Sequence, residues 1–376
     1  FYLDVRVRDL PQFEFLKSYT NESEIRMKPL SLFKTGPGIR STVLSQFLFR
    51  PQIVLTPSYN YYRSPEVAWR SVVSKSVFVE LTSEQYFSPI FDNEKLARYP
   101  DYICLKQQYF FCGSRYYAEK LIRIAGVSPS QIYIVGSLKV DRARMENLEI
   151  TKPKSNRKRI LFVSDYSLGS WAEREVDHYK KHYDVTITTS EIGKVARERD
   201  RAILQAIAIS RLECYDVTFR LHPGESTLPY SALHQSDVKV SDGSRPFIDD
   251  VLWSDVVVGY TTTSIFEVLQ AGKIFISVHD EDYARIQYRE YLDNTTQCSS
   301  ASLVRLLNNL ASDIKVDESW DWYCDGISTS IGSAAAKHIS ALREIKNAPP
   351  LKCKLPITFH LNCVWINFLA FLVRAL

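Results

Sequence analysis

Val217-Thr-Phe-Arg-Leu-His-Pro-Gly-Glu225 and, further along, Asp255-Val-Val-Val-Gly-Tyr-Thr-Thr-Thr-Ser-Ile-Phe-Glu-Val-Leu-Gln-Ala-Gly272 decide the fold. Each reads as a short apolar, β-branched run that ends in polar residues and opens a loop or helix. Open parallel α/β sheets place their ligands at strand ends of this kind.

In the second stretch, Gly259 punctuates the strand and Thr261, Thr262, Thr263 and Ser264 supply hydroxyls where a helix is expected to begin. A helix start offers unpaired N–H groups and the positive end of the dipole, which favours an anion such as a diphosphate. Glu267 falls in the first turns of that helix, within reach of a ribose or sugar hydroxyl pair. In the first stretch, Pro223 holds His222 in an extended conformation at the strand end, where it can donate to phosphate. Glu225 is a second candidate for ribose, whereas Arg220 alternates to the opposite face and reads as structural. Taken singly, a hydroxyl run is an N-cap and His-Pro a loop; together, after two strands, they point to a nucleotide-sugar site.

Outward from this pair, strand and helix patterns alternate along the chain, which argues for βα units and parallel sheets. Expected strands are Phe1–Val7, Gln52–Leu55, Ser76–Leu81, Tyr102–Leu105, Phe110–Cys112 and Gln131–Val135, with helices before Ser18, over Thr42–Phe49 and over Tyr116–Ala125. A polar, Pro-containing segment around Thr151 to Arg157 ends this half. Beyond it come a strand at Arg159–Ser164 and the loop Asp165-Tyr-Ser-Leu-Gly-Ser170, in which Ser167, Gly169 and Ser170 are candidates for donor contact. A helix over Ala196–Arg211, a strand over Val238–Val240, a helix over Pro246–Trp253, a strand over Ile274–Val278 and a helix over Ser300–Asn309 complete it. The expected division is 1–148, a linker at 149–158, a second domain at 159–345 and an apolar helical tail at 346–376.

The His222-Pro223 element, the hydroxyl-rich turn with Glu267 and the upstream Ile132-Tyr-Ile-Val-Gly-Ser-Leu-Lys-Val-Asp141 together resemble the bacterial surface-polysaccharide glycosyltransferases of GT-B fold. Within that group the chain is most similar to transferases of CMP-linked acidic sugars (Kdo or sialic acid) and to CDP-glycerol glycerophosphotransferases. Ser137-Leu138 stands where the commoner pattern has Asn-Pro. The resemblance covers residues 70 to 345 and implies two Rossmann-like domains facing across a cleft, with the acceptor on the first and the nucleotide on the second. It implies Glu84 as base for the acceptor hydroxyl, with Gln85 where a second acid or Gly is usual, and His222 with the Thr/Ser run stabilising the leaving phosphate. The resemblance implies a metal-independent reaction needing no cofactor beyond the nucleotide-sugar co-substrate, the phosphate cradle taking the place of a divalent metal. Arg8 and Arg40 are candidates for holding an acidic acceptor, a glycan or lipid-linked glycan; Asp141 is expected to stabilise the turn between the halves.

Three alternatives stay open: CDP-polyol phosphotransfer, UDP-sugar 2-epimerisation, and a non-catalytic glycan-binding module of a larger polymerase. The 2-epimerases share the fold and a His-Pro strand end, but their helix start is Ser-Gly-Gly followed by paired Glu, unlike the Thr-Thr-Ser and single Glu267 here.

The remaining features fit this picture. A chain of 376 residues exceeds one ordinary core and suits two domains. The formal charge of +4, with acidic and basic residues interleaved, does not call for nucleic acid. Seven scattered cysteines without a C-x-x-C pair read as reduced, mostly buried thiols of a cytoplasmic protein and offer no zinc site. The first residue is Phe inside an apparent strand, so part of a longer chain is expected. In the tail, Leu361, Val364, Trp365, Phe368, Leu369, Leu372 and Leu376 form an apolar stripe. Two readings apply to it, a peripheral anchor on the inner face of the plasma membrane or a helix packed on the body. His360, Asn362, Asn367 and Arg374 argue against a full span.

Overall fold

The computed structural model describes residues 2–4, 10–20, 28–30, 52–57, 77–81, 108–149, 156–170, 176–177, 188–222, 225–241, 245–260, 264–280, 295–310 and 333–347. The strands among them form two six-stranded sheets, and every pairing is parallel. In the first sheet the strands are β1 (Tyr2–Asp4), β2 (Lys28–Leu30), β3 (Ile53–Pro57), β4 (Val77–Leu81), β5 (Gln108–Cys112) and β6 (Ile132–Ile134). Their spatial order is β2-β1-β3-β4-β5-β6. The second sheet holds β7 (Lys158–Val163), β8 (Tyr215–Arg220), β9 (Lys239–Ser241), β10 (Val256–Gly259), β11 (Ile274–Val278) and β12 (Thr296–Cys298). Here the order is β12-β11-β10-β7-β8-β9, so the direction of winding reverses between β7 and β10. Numbered within this sheet, that is the 3-2-1-4-5-6 order of a Rossmann domain.

The described helices are α1 (Leu10–Ser18), α2 (Arg115–Ala125), α3 (Leu138–Glu149), α4 (Thr189–Ser210), α5 (Phe247–Trp253), α6 (Ile265–Gln270), α7 (Ser300–Asn309) and α8 (Ala334–Asn347). The chain divides into two compact units, one containing β1–β6 with α1, α2 and α8, the other β7–β12 with α4 to α7. All four residues of β10 are buried, as is the run from Arg159 to Val163 in β7. Strands covered on both faces need no polar alternation, which is why these read as continuous apolar runs.

In the second unit Ile160, Phe162, Val217, Phe219, Val256, Val258 and Ile276 share one core with Val195, Ile203 and Ile209 of α4. In the first, Ile53, Leu55, Val79, Leu81 and Phe111 pack against Phe13 and Leu16 of α1 and against Ile339, Leu342 and Ile345 of α8. Each fully buried Leu or Ile contributes roughly 1.5–3 kcal/mol. The fit of α8 into this core differs from the linear division at 159–345, because its residues pack with strands far earlier in the chain. Asp141, on α3, helps to place it: the buried carboxylate accepts the Ala334 N–H at 2.6 Å, satisfying a donor at the start of α8. The turn between β6 and α3 passes through Gly136 at φ 84°, a left-handed conformation that glycine adopts without a Cβ clash.

Other boundaries shift by a few residues. Helix α4 begins at Thr189 rather than Ala196, because Thr188 and Glu191 form a capping box in which Glu191 accepts the Thr188 N–H at 2.7 Å. Strand β12, absent from the expected elements, extends the sheet beside β11. Cys112 is buried, but Cys214 is exposed at the tight turn into β8, which corrects the expectation of mostly buried thiols for that residue. The expected Tyr102–Leu105 strand and Thr42–Phe49 helix lie outside the described residues, as does the tail beyond Asn347.

Candidate functional site

The winding reversal puts the carboxyl ends of β7 and β10 side by side, with the end of β8 next to β7. An open sheet has its crevice at such a reversal, since the connections leave toward opposite faces. The segment after β7 is Ser164, Asp165 and Tyr166, followed by a short 3-10 turn over Ser167–Ser170. Ser164 still donates its N–H to the Arg220 carbonyl at 2.9 Å, so the sheet holds this segment up to its exit.

After β8, His222 and Glu225 close a tight turn, with the Glu225 N–H donating to the His222 carbonyl at 2.9 Å. The residues between them in sequence are Pro223 and Gly224, the pair such turns favour, and both lie outside the described residues. The turn leaves His222 exposed and brings the Glu225 carboxylate back over the end of β7. There Oε2 accepts from Ser164 Oγ and, at 2.7 Å, from Tyr230 Oη, while Oε1 accepts the Tyr166 N–H. Ser164 Oγ and Tyr230 Oη also lie 2.7 Å apart. One carboxylate thus binds residues on both sides of Asp165.

Asp165 keeps part of its surface in solvent and makes no hydrogen bond among the described residues, yet its carboxyl is closely surrounded by protein. Burial, reinforced by the negative charge of Glu225, pushes its pKa up to about 7. Burial also raises the Tyr230 phenol, with the Glu225 charge adding to it, so Tyr230 is a neutral donor. Beneath, the ring of Tyr166 stacks on Tyr260, which follows β10, at 5.6 Å between centroids. Burial and neighbouring Glu198 hold the Tyr166 phenol well above its ordinary value. Glu198, buried in α4, accepts the Asp280 N–H at 3.1 Å and pairs with Arg201 at 3.1 Å, tying α4 to the end of β11. His279, also at that end, has a buried Nδ1 without a hydrogen-bond partner among the described residues.

His222 and Glu225 stand at the end of β8, with Glu225 engaged in positioning the β7 segment. Ser264 and Glu267 stand at the start of α6, half-buried; Ser264 makes no side-chain cap. Gly169 packs against α4, where an added Cβ would meet the backbone N of Ala196 at 2.7 Å, so close helix packing requires glycine at that position. Ser167 and Ser170 lie in the same 3-10 turn. Arg8, Arg40, Glu84, Pro223, Thr261, Thr262 and Thr263 lie outside the described residues. Arg220 has the structural place expected of it: buried, it pairs with buried Asp250 and donates to the Arg245 carbonyl at 2.9 Å. Sequence reading passed over Ser164, Asp165, Tyr166, Tyr230, Tyr260 and Glu198. The signal lay in the loop after β7, where Asp165 stands two residues past the strand, but Glu225 meets its neighbours Ser164 and Tyr166 only in three dimensions.

No group of three or more His, Cys, Asp or Glu side chains among the described residues could hold a metal ion. Nor is any described helix long and apolar enough to cross a membrane.

Two Rossmann-like units of parallel β and α, with these strand orders, make this a protein of GT-B fold. A Listeria monocytogenes protein assigned as a UDP-N-acetylglucosamine 2-epimerase is similar in structure, with a TM-score of 0.55 at 10% identity, over 94% of this chain and 99% of that one. A second UDP-N-acetylglucosamine 2-epimerase gives 0.54 at 12% identity, over 94% and 98%. The S. aureus protein MnaA, in a co-structure with UDP, gives 0.51 at 13% identity, over 94% and 97%. By sequence, no family model and no curated protein matches the chain. The likeness is therefore one of fold, and these three neighbours lend no support to a CMP-Kdo or sialic acid donor.

Proposed function

We propose that this protein is an enzyme acting on a nucleotide-linked sugar, with the nucleotide held at the carboxyl ends of β7, β8 and β10. The carrying observation is the winding reversal between β7 and β10, with a fixed polar cluster and His222 at its mouth. Asp165 and Glu225 make the end of β7 acidic, so the diphosphate belongs with the groups that flank it, Ser264 and the Thr261–Thr263 run after β10 and His222 after β8. Sugar or ribose hydroxyls suit the acidic side, where carboxyl groups accept their hydrogen bonds.

UDP-sugar 2-epimerisation is the first reading, supported by the fold neighbours. Epimerisation breaks the C2–H bond and remakes it on the other face of the ring, so it needs proton-exchanging groups in the site. Glycosyl transfer is the second, favoured by the Thr-Thr-Ser turn and single Glu267 where the 2-epimerases carry Ser-Gly-Gly and paired Glu. On that reading Glu84 is the acceptor base, Arg8 and Arg40 hold an acidic glycan or lipid-linked glycan, and the 346–376 stripe rests on the inner membrane face from the cytoplasm.

Calorimetric titration with UDP, CDP and CMP, with and without magnesium, tests the shared site. UDP preference supports the first reading, and CMP or CDP preference supports a transferase of acidic sugars or polyol phosphates. His222→Ala is expected to weaken binding by about 10- to 100-fold, the worth of a charge-assisted hydrogen bond. Incubation with UDP-N-acetylglucosamine in D2O then separates the two activities by NMR. Deuterium at C2 marks epimerisation, while donor loss that requires an added glycan marks transfer. Failure of every nucleotide to bind would remove the site.

A further inference from the structure

We propose that Asp165 is the acid–base group of this site and that Glu225 is the residue that positions it, an inference that rests on the nucleotide-sugar reading above. The geometry carries it. Asp165 stands two residues beyond the end of β7 at the winding reversal, and the residues on either side of it are both bonded to one carboxylate. Ser164 gives its hydroxyl to Glu225 and its N–H to the Arg220 carbonyl; Tyr166 gives Glu225 its N–H and stacks its ring on Tyr260. The Asp165 backbone is therefore fixed from both sides, while the residue keeps part of its surface in solvent and its carboxyl makes no hydrogen bond among the described residues. The carboxylates and hydroxyls nearest to it are engaged: Glu225 by three donors, Ser164 and Tyr230 by Glu225, Glu198 by Arg201 and the Asp280 N–H. A rigidly held carboxyl left without a partner at a ligand-binding edge is available to the ligand.

The titratable and charged groups around it set its state. Glu225, from the loop after β8, acts on Asp165 itself; Glu198 of α4, Tyr230 of the following 3-10 turn and Tyr260 at the end of β10 act on its neighbour Tyr166, and Arg199 of α4 acts on Tyr230. Tyr166 and Tyr230 are held neutral, and Glu225 is the negative neighbour that acts on Asp165. Protonated, Asp165 donates an O–H to a ligand oxygen. Ionised, it accepts a proton from a substrate C–H or O–H and becomes the neutral acid; nothing is oxidised or reduced.

Titration of UDP into the full chain, in two buffers of different ionisation enthalpy across pH 5.5 to 8.5, is the test, with these pH bounds chosen to bracket the value of about 7 at Asp165. The expected result is buffer-dependent enthalpy that reports exchange of up to about one proton per bound nucleotide. In Asp165→Asn the exchange contributed by Asp165 disappears while UDP still binds, and in Glu225→Gln its midpoint moves to lower pH, because the repelling charge is gone. A merely structural role for Glu225 would weaken binding without moving that midpoint. Unaltered proton exchange in Asp165→Asn would overturn the inference and leave the nucleotide site standing. An absence of UDP binding in the wild type, under conditions where CMP and CDP also fail, would overturn both. Carbon-13 NMR of labelled aspartate carboxyls in the wild type needs no variant: one should titrate near neutral pH, and none doing so would equally overturn the assignment.

Discussion

The two units use the same layers of parallel strand and helix but dispose of their polar residues differently. In the first, the buried polar side chains Asp141 and His338 both serve α8: Asp141 accepts the Ala334 N–H, and His338 Nδ1 lies 2.7 Å from the Ala334 carbonyl with its ring edge-on to Phe111. In the second, Ser164, Asp165, Glu225 and Tyr230 collect at the strand ends beside the winding reversal. Polar groups bonded to backbone inside a core hold elements together, whereas the cluster at the strand end leaves one carboxyl without a hydrogen bond among the described residues, the feature on which the proposed ligand site rests. Within the second unit the same contrast appears again. Arg220 and Asp250 are fully engaged with each other and their neighbours, and Asp165 is not.

The strongest way to break this comparison is Asp250→Ala. It strips Arg220 of its partner in a buried site, and loss of about 3–5 kcal/mol is expected in urea unfolding. A much smaller loss would mean that the Arg220 cluster is not the internal tie described. Leu342→Ala is next, since Leu342 is wholly buried in the first core. A loss of about 2–5 kcal/mol is expected, with UDP titration at the second sheet unaffected in the folded protein.

His338 sharpens the contrast through pH. Burial lowers its pKa to about 4 from the ordinary 6.5, although the bond to the Ala334 carbonyl opposes the shift. The unfolded chain therefore takes up the proton first as pH falls. Stability is full above pH 6.5 and declines between 6.5 and about 4. The slope is about 1.4 kcal/mol per pH unit for this one group, and it should be missing in the urea-unfolding profile of His338→Leu. Gly169→Ala should cost about 1–3 kcal/mol, because the new Cβ meets helix backbone that cannot turn aside. A variant with full stability but weakened nucleotide binding would restore Gly169 to ligand contact. Smallest is Ser164→Ala, which removes one donor to Glu225 and should lower the unfolding free energy by about 1 kcal/mol.

Much of the sheet architecture was legible along the chain. Strand β11 and helix α7 match their expected spans residue for residue, since a short run rich in Ile, Phe and Val and a Ser-led amphipathic run each identify themselves locally. The start of α4 was also legible in Thr188 and Glu191, a capping-box spacing that the apolar pattern alone overlooks. Of the site, His222, Glu225, Ser264 and Glu267 were picked out because each sits beside a strand or helix boundary. Asp165 was not, for a single acid after a strand resembles any exposed loop residue until Glu225 is placed against its neighbours.

The sequence by itself determined the alternation of elements, the two-unit organisation and where the strands end, because apolar periodicity reports which local face is buried. Only the tertiary structure decided that α8 completes the first core beside Asp141 and Phe111, and that Glu225 reaches back to Ser164 and Tyr166. Those partners are far apart along the chain, and strand order brings them together; no local pattern records which distant residue a buried polar group will meet.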